Sequence, residues 1–171
     1  MIVRVEQSMR ATAEEWSRRI FATGLNNRRN YSGFEKPERY IIGYIGELAF
    51  KDKLTERGKR FEFRPRLDGH SDRTGYDFIV WSYGMPLTIN VKTAGESFHK
   101  LLSIPVCMFN RYRADIYVAG HLCDNNCHMR GWVYHYEIKS VAPLPPLLQS
   151  RSIPFDDLRD IEQLFNMLDD T

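Results

Sequence analysis

A chain of 171 residues, 43% hydrophobic and 27% charged, is long enough to bury one substantial core and too ordinary in composition for a disordered or fibrous protein. It has no apolar run near the ~20 residues that span a bilayer, and residues 1–6 lack the apolar stretch of a signal peptide, so a cytoplasmic protein without membrane contact is expected. Its three cysteines do not suggest a secreted disulfide framework, and its net charge of +2 is divided between a C-terminal segment, 156–171, with six acids against one arginine, and a body that carries +7.

In chain order, residues 11–23 place Ala13, Trp16 and Ile20 at helical spacing, with Thr12 and Glu15 as a capping box and Gly24 as the stop. Residues 24–38 read as a polar loop carrying Arg28, Arg29 and Tyr31. A second helix follows, from about Pro37 to Arg57, with Gly58 past its end. Gly43 and Gly46 in its interior each cost roughly 1 kcal/mol of helix propensity, which close approach of another backbone or a ligand would explain. Glu47 comes directly after them, among apolar neighbours. Residues 59–66 alternate and read as a strand ending near Pro65, and 67–74 form a polar loop with His70, Asp72 and Arg73.

Residues 75–81 and 87–93 are strand-like runs joined through Gly84 and Pro86, a β-hairpin. The first has Asp77 at its head, and the second ends in Asn90, Val91 and Lys92. Residues 93–100 read as a loop, 101–105 are apolar, and 106–112 are expected to form a short helix. A second hairpin is expected over 115–122 and 129–138, then a Pro-rich connector over 141–154 and an amphipathic helix over 156–168.

A helix glutamate, a strand aspartate and a strand lysine can converge at one end of a sheet, where carboxylates hold a divalent cation and an ammonium holds a water. With Gly43 to Glu47 on a first core helix, Asp77 on the second strand and Asn90-Val91-Lys92 on the third, the chain resembles the PD-(D/E)XK nuclease superfamily over about residues 40–140. The resemblance implies an α/β fold in a single domain, 1–171: a mixed central β-sheet flanked by helices, with a restriction-endonuclease-like core. An N-terminal helix and loop (1–38) would precede that core, and the connector and acidic helix (141–171) would follow it.

The resemblance also implies a Mg²⁺- or Mn²⁺-dependent DNA endonuclease. In it Asp77, Glu47 and Asn90 would ligate the metal, and Lys92 would hold the attacking water. DNA would be the partner, bound through Arg28, Arg29, Arg66, Arg73 and Lys100, with a homodimer as a compatible assembly and no membrane. One position departs from the family pattern, which expects an acid where this chain has Asn90. An amide oxygen can ligate Mg²⁺ but brings no charge, so on Coulomb grounds Asn90→Asp should tighten cation binding. The alternative is a catalytically degenerate DNA-binding or assembly protein on the same fold.

His121, Cys123, Cys127 and His128 put four nitrogen or sulfur donors within eight residues, a candidate Cys2His2 zinc site. The competing reading is a polar hairpin turn at 124–126 with two facing cysteines. A zinc-stabilised interaction domain or an unrelated small-molecule enzyme would follow if the strand pattern around Asp77 and Lys92 were fortuitous.

Overall fold

The computed structural model describes residues 1–22, 37–65, 75–95, 98–106, 113–140 and 150–171. Short runs of β-branched and aromatic residues build a six-stranded sheet in the order β1-β7-β6-β4-β3-β2. Its strands are β1 (Ile2–Arg4), β2 (Phe61–Phe63), β3 (Phe78–Ser82), β4 (Met85–Ala94), β6 (Ile116–Cys123) and β7 (Asn126–Tyr134). The β4–β6 pair is parallel and the others are antiparallel, so the sheet is mixed. β5 (Leu101–Pro105) and β8 (Ser150–Pro154) form a separate antiparallel ribbon.

Strand alternation sends side chains to two faces, and each face has its own core. On one face lie α1 (Gln7–Ala22), α2 (Pro37–Glu56) and α4 (Ile161–Met167), with Ile45, Phe50, Phe78, Ile89, Ile116 and Phe165 all buried together. On the other face the ribbon and α3 (His135–Ser140) cover Tyr117, Val133, Leu102, Ile104, Ile138 and Ile153. The first and last elements share one core, so the described residues make a single α/β domain. Among them no helix is long and apolar enough to cross a membrane.

Both expected hairpins form, with turns tighter than the sequence suggested. Tyr83 and Gly84 both have positive φ (52° and 75°), which matches the twist of a two-residue hairpin turn. Asp124 (φ 54°) plays the same part between β6 and β7. In the second hairpin Arg130 has no opposite residue, because Ala119 faces Gly131 while Gly120 faces Met129. This bulge shifts the alternation of β7, so that Cys127, Met129 and Trp132 all reach the helix-covered core.

Several expectations are corrected. α1 starts four residues early, and the Thr12 hydroxyl donates to the Ser8 carbonyl at 2.9 Å inside the helix, so Thr12 is no cap. α2 ends as expected, with Gly58 at φ 60°. Residues expected to prolong β7 turn into α3. The end of the Pro-rich connector is β8, and the terminal helix begins only at Ile161, where the Asp160 carboxylate accepts from the Glu162 amide at 3.0 Å. Leu158 accordingly leaves the helix stripe and packs against the ribbon-side core. β1 and the pairing of β5 with β8 were not foreseen.

The C-terminal segment clasps the β3–β4 hairpin. The amides of Tyr83 and Gly84 each donate to an Asp169 carboxylate oxygen at 2.7 Å, while the Asp169 amide donates to the Trp81 carbonyl at 2.8 Å. Lys59 adds an ion pair to Asp170 at 2.6 Å. Bonds from exposed amides to a carboxylate contribute on the order of 1 kcal/mol together once water competes. Asp169→Ala should therefore lower Tm by roughly 2–4 °C, and Asp169→Asn by less, as measured by calorimetry.

Candidate active site

The helix that carries Glu47 sits unusually close to β4. A Cβ on Gly46 would fall 1.7 Å from Thr93 Oγ1 and 2.8 Å from Thr93 Cβ, so no side chain fits there and rotation of Thr93 alone would not make room. Gly120 on β6 flanks the same threonine, with its own Cβ position 2.9 Å from Thr93 Oγ1. The helix glycine inferred from propensity to permit close approach thus has its partner. This contact puts Glu47, half-buried, one residue from Gly46, and Lys92, also half-buried, one residue from Thr93.

Asp77 is fixed by β4 through two bonds and by the residue after β2 through a third. Its amide donates to the Ile89 carbonyl at 2.8 Å, its carbonyl accepts from the Arg64 amide at 2.8 Å, and its Oδ2 accepts from the Val91 amide at 2.7 Å. The carboxylate therefore rests against the strand between Asn90 and Lys92. Val91 points into the helix-side core, so alternation sends Asn90 and Lys92 to the opposite face. Asn90 is 5% exposed; its Nδ2 donates to the Gly75 carbonyl at 2.8 Å, while its buried Oδ1 has no hydrogen-bond partner among the described residues. Across the parallel pairing Asn90 stands beside Tyr117, whose hydroxyl lies 3.4 Å from His135 Nδ1 and whose ionisation burial pushes up.

The structure thus gathers Asp77, Asn90 and Lys92 along one stretch of β4, with α2 and Glu47 seated against the same strand from its other face. Two of these groups are acids. Among the described residues no three His, Cys, Asp or Glu side chains form a metal-holding cluster. Asn90 would have to supply the third oxygen, and its enclosed Oδ1 is a donor of the type that Mg²⁺ and Mn²⁺ prefer. Sequence reasoning passed over Gly75, Thr93 and Tyr117. Gly75 could have been suspected as a glycine just before the strand; the other two carry no local signal.

Among the described residues His121, Cys123, Cys127 and His128 do not come together as a four-donor cluster. His121 faces His128 across the hairpin, while Cys127 pairs with Leu122 and is buried with it in the helix-side core. The pleat therefore places Cys127 on the opposite face from His121 and Cys123. Arg130 Nη2 lies 2.9 Å from His121 Nδ1; a guanidinium only donates, so that ring nitrogen is already engaged. Burial first, then the positive charges of Arg130 and the amino terminus, hold the pKa of the His128 imidazole below its ordinary value. Both cysteines are free thiols, and burial pushes Cys127 up to about 12.

Of the residues assigned to DNA, Arg28, Arg29, Arg66 and Arg73 lie outside the described residues, as do His70 and Asp72 of the polar loop. Lys100 is exposed, and its carbonyl accepts from the Phe155 amide at 2.9 Å. Other arginines of the body have local partners: Arg57 pairs with Glu162 at 2.8 Å, Arg64 with Glu62 at 2.9 Å, Arg19 with Glu15, and Arg60 lies over the Trp81 ring at 4.2 Å. Comparison of the chain with protein-family models, with curated proteins and with solved structures finds no match.

Two outcomes follow from this packing. Gly46→Ala should destabilise the fold by about 1–3 kcal/mol through overpacking, and Thr93→Gly in the same chain should recover part of the loss in denaturant titrations. At pH 8 iodoacetamide should alkylate Cys123 while Cys127 stays intact until unfolding, as read by peptide mass mapping.

Proposed function

We propose that the chain is a divalent-metal-dependent DNA nuclease of the PD-(D/E)XK type, hydrolysing phosphodiester bonds with Glu47, Asp77, Asn90 and Lys92. One observation carries the reading. The Asp77 carboxylate is pinned by the Val91 amide between Asn90 and Lys92, and the helix bearing Glu47 is pressed onto the next residue of the same strand. A preorganised carboxylate beside a lysine on paired strands supports this reading, because the one can hold a cation and the other can hold a water and stabilise charge on a phosphate.

Asp77 and the Asn90 amide oxygen, on one face of β4, would hold Mg²⁺ or Mn²⁺, and Glu47, whose helix packs on the opposite face, would complete the set only by reaching past the edge of that strand. The cation would neutralise phosphate charge and lower the pKa of a bound water. Lys92 orients the attacking water and stabilises the negative charge that builds on the phosphorus oxygens. The Val91 amide holds Asp77 in one orientation, so the carboxylate needs no reorganisation when substrate arrives. A second reading, a DNA-binding or assembly protein that has lost catalysis, is favoured by the presence of only two acids among the four residues.

Nicking of supercoiled plasmid in Mn²⁺ tests the assignment. Asp77→Asn keeps an acceptor for the Val91 amide and removes the charge; Lys92→Ala removes the ammonium. Each should cost on the order of 10²–10³ in rate, with Tm nearly unchanged, and EDTA should abolish cleavage. Equal nicking by wild type and Asp77→Asn would overturn the nuclease reading. Metal-independent DNA binding without cleavage would favour the second one.

A further inference from the structure

We propose that Asn90 is a positioning residue whose amide N–H fixes the segment that delivers Asp77, so that a carboxylate cannot take its place. The Gly75 carbonyl oxygen can only accept, so the atom of Asn90 that lies 2.8 Å from it must be the NH₂ nitrogen. This settles the orientation of the amide and leaves Oδ1 as an enclosed acceptor with no partner among the described residues. Gly75 has φ 75°, a conformation that side chains disfavour, and its carbonyl is presented to the strand from there. The Asn90 bond, the Asp77 amide bond to Ile89 and the Val91 bond to the Asp77 carboxylate together tie residues 75–77 to β4.

Asparagine and aspartate have the same shape and differ here in one property. The amide presents a donor to Gly75, and an ionised carboxylate presents a second acceptor. Two oxygens facing each other at hydrogen-bond distance repel, and with Asn90 only 5% exposed there is little solvent to screen them. The departure from the family's acid is thereby an internal requirement of this chain. It reverses the sign expected from charge alone: the added carboxylate should loosen the site. The inference takes its catalytic meaning from the nuclease reading, but its geometry holds without any metal.

The test uses the full chain, ¹⁵N-labelled and metal-free, as wild type, Asn90→Asp and Asn90→Ala. In wild type the Asn90 side-chain NH₂ should exchange with solvent at least about tenfold more slowly than a free asparagine amide. The Val91 amide should exchange at least about tenfold faster in both variants, and fastest in Asn90→Asp. Should Asn90→Asp fail to fold, Val91 exchange in Asn90→Ala decides, with the wild-type side-chain signal as the second reading. A freely exchanging Asn90 NH₂, or wild-type Val91 exchange in the folded variants, would overturn the proposal. Mn²⁺ calorimetry separates it from the nuclease reading. Weaker binding by Asn90→Asp supports both. Tighter binding with Val91 undisturbed keeps the metal site and removes the positioning role. Absence of Mn²⁺ binding by wild type, with the exchange effects present, removes the metal site and keeps the positioning role.

Discussion

The contact of Gly46 with Thr93 is the constraint on which the arrangement around β4 depends. A helix ordinarily stands off a sheet by the thickness of two side-chain layers. Here one layer is missing at the crossing, because the α2 backbone rests directly on a threonine side chain. Gly120 repeats the concession from the neighbouring strand, and Gly95 does so further along, where a Cβ would meet Ile42 Cδ1 at 2.5 Å. The lost helix propensity is offset by dense packing of Ile45, Leu48, Ala49 and Phe50 against Ile89 and Val91. The approach also leaves Glu47 little latitude in where it stands relative to β4.

Burial of polar groups follows from the second layer. Were the sheet covered on one face only, Asn90 would sit in water and its hydrogen bonds would matter little. The β5–β8 ribbon and α3 enclose that face, and Asn90, Tyr117 and His135 are buried there beside Leu102 and Ile153. Each polar atom so enclosed is costly unless it is paired. The bond from Asn90 to Gly75 and the approach of Tyr117 to His135 meet part of that cost, and Asn90 Oδ1 is left to whatever enters the site.

The surface charges behave differently. Several arginines lie beside glutamates or aromatic rings, as in the Arg159 guanidinium set against Glu137 and stacked over Trp132 and Tyr134. Such pairs shape the surface locally and contribute little to long-range attraction. The +7 of the body is therefore a weak guide to where a polyanion would lie.

Periodicity, turn chemistry and capping residues made α2, both hairpins and the glycine stop at Gly58 legible in the sequence, because these features arise from interactions within a few residues. The order of Glu47, Asp77 and Lys92 was legible for the same reason: each follows from its place on a local element. Pairings made across the chain were hidden. Nothing near Ile2 says that it faces His128, and nothing near Leu101 says that it pairs with Pro154, since a three- or five-residue strand gains its stability from a partner far away in sequence. The fate of the His121–His128 donors depended on strand pleat and hairpin register, which assign Cys127 to the core. The role of Asn90 was equally beyond local reading. Its residue type showed a missing charge, and only the fold brought the Gly75 carbonyl to its amide, because hydrogen-bond geometry is set by where the chain returns and not by what the chain is.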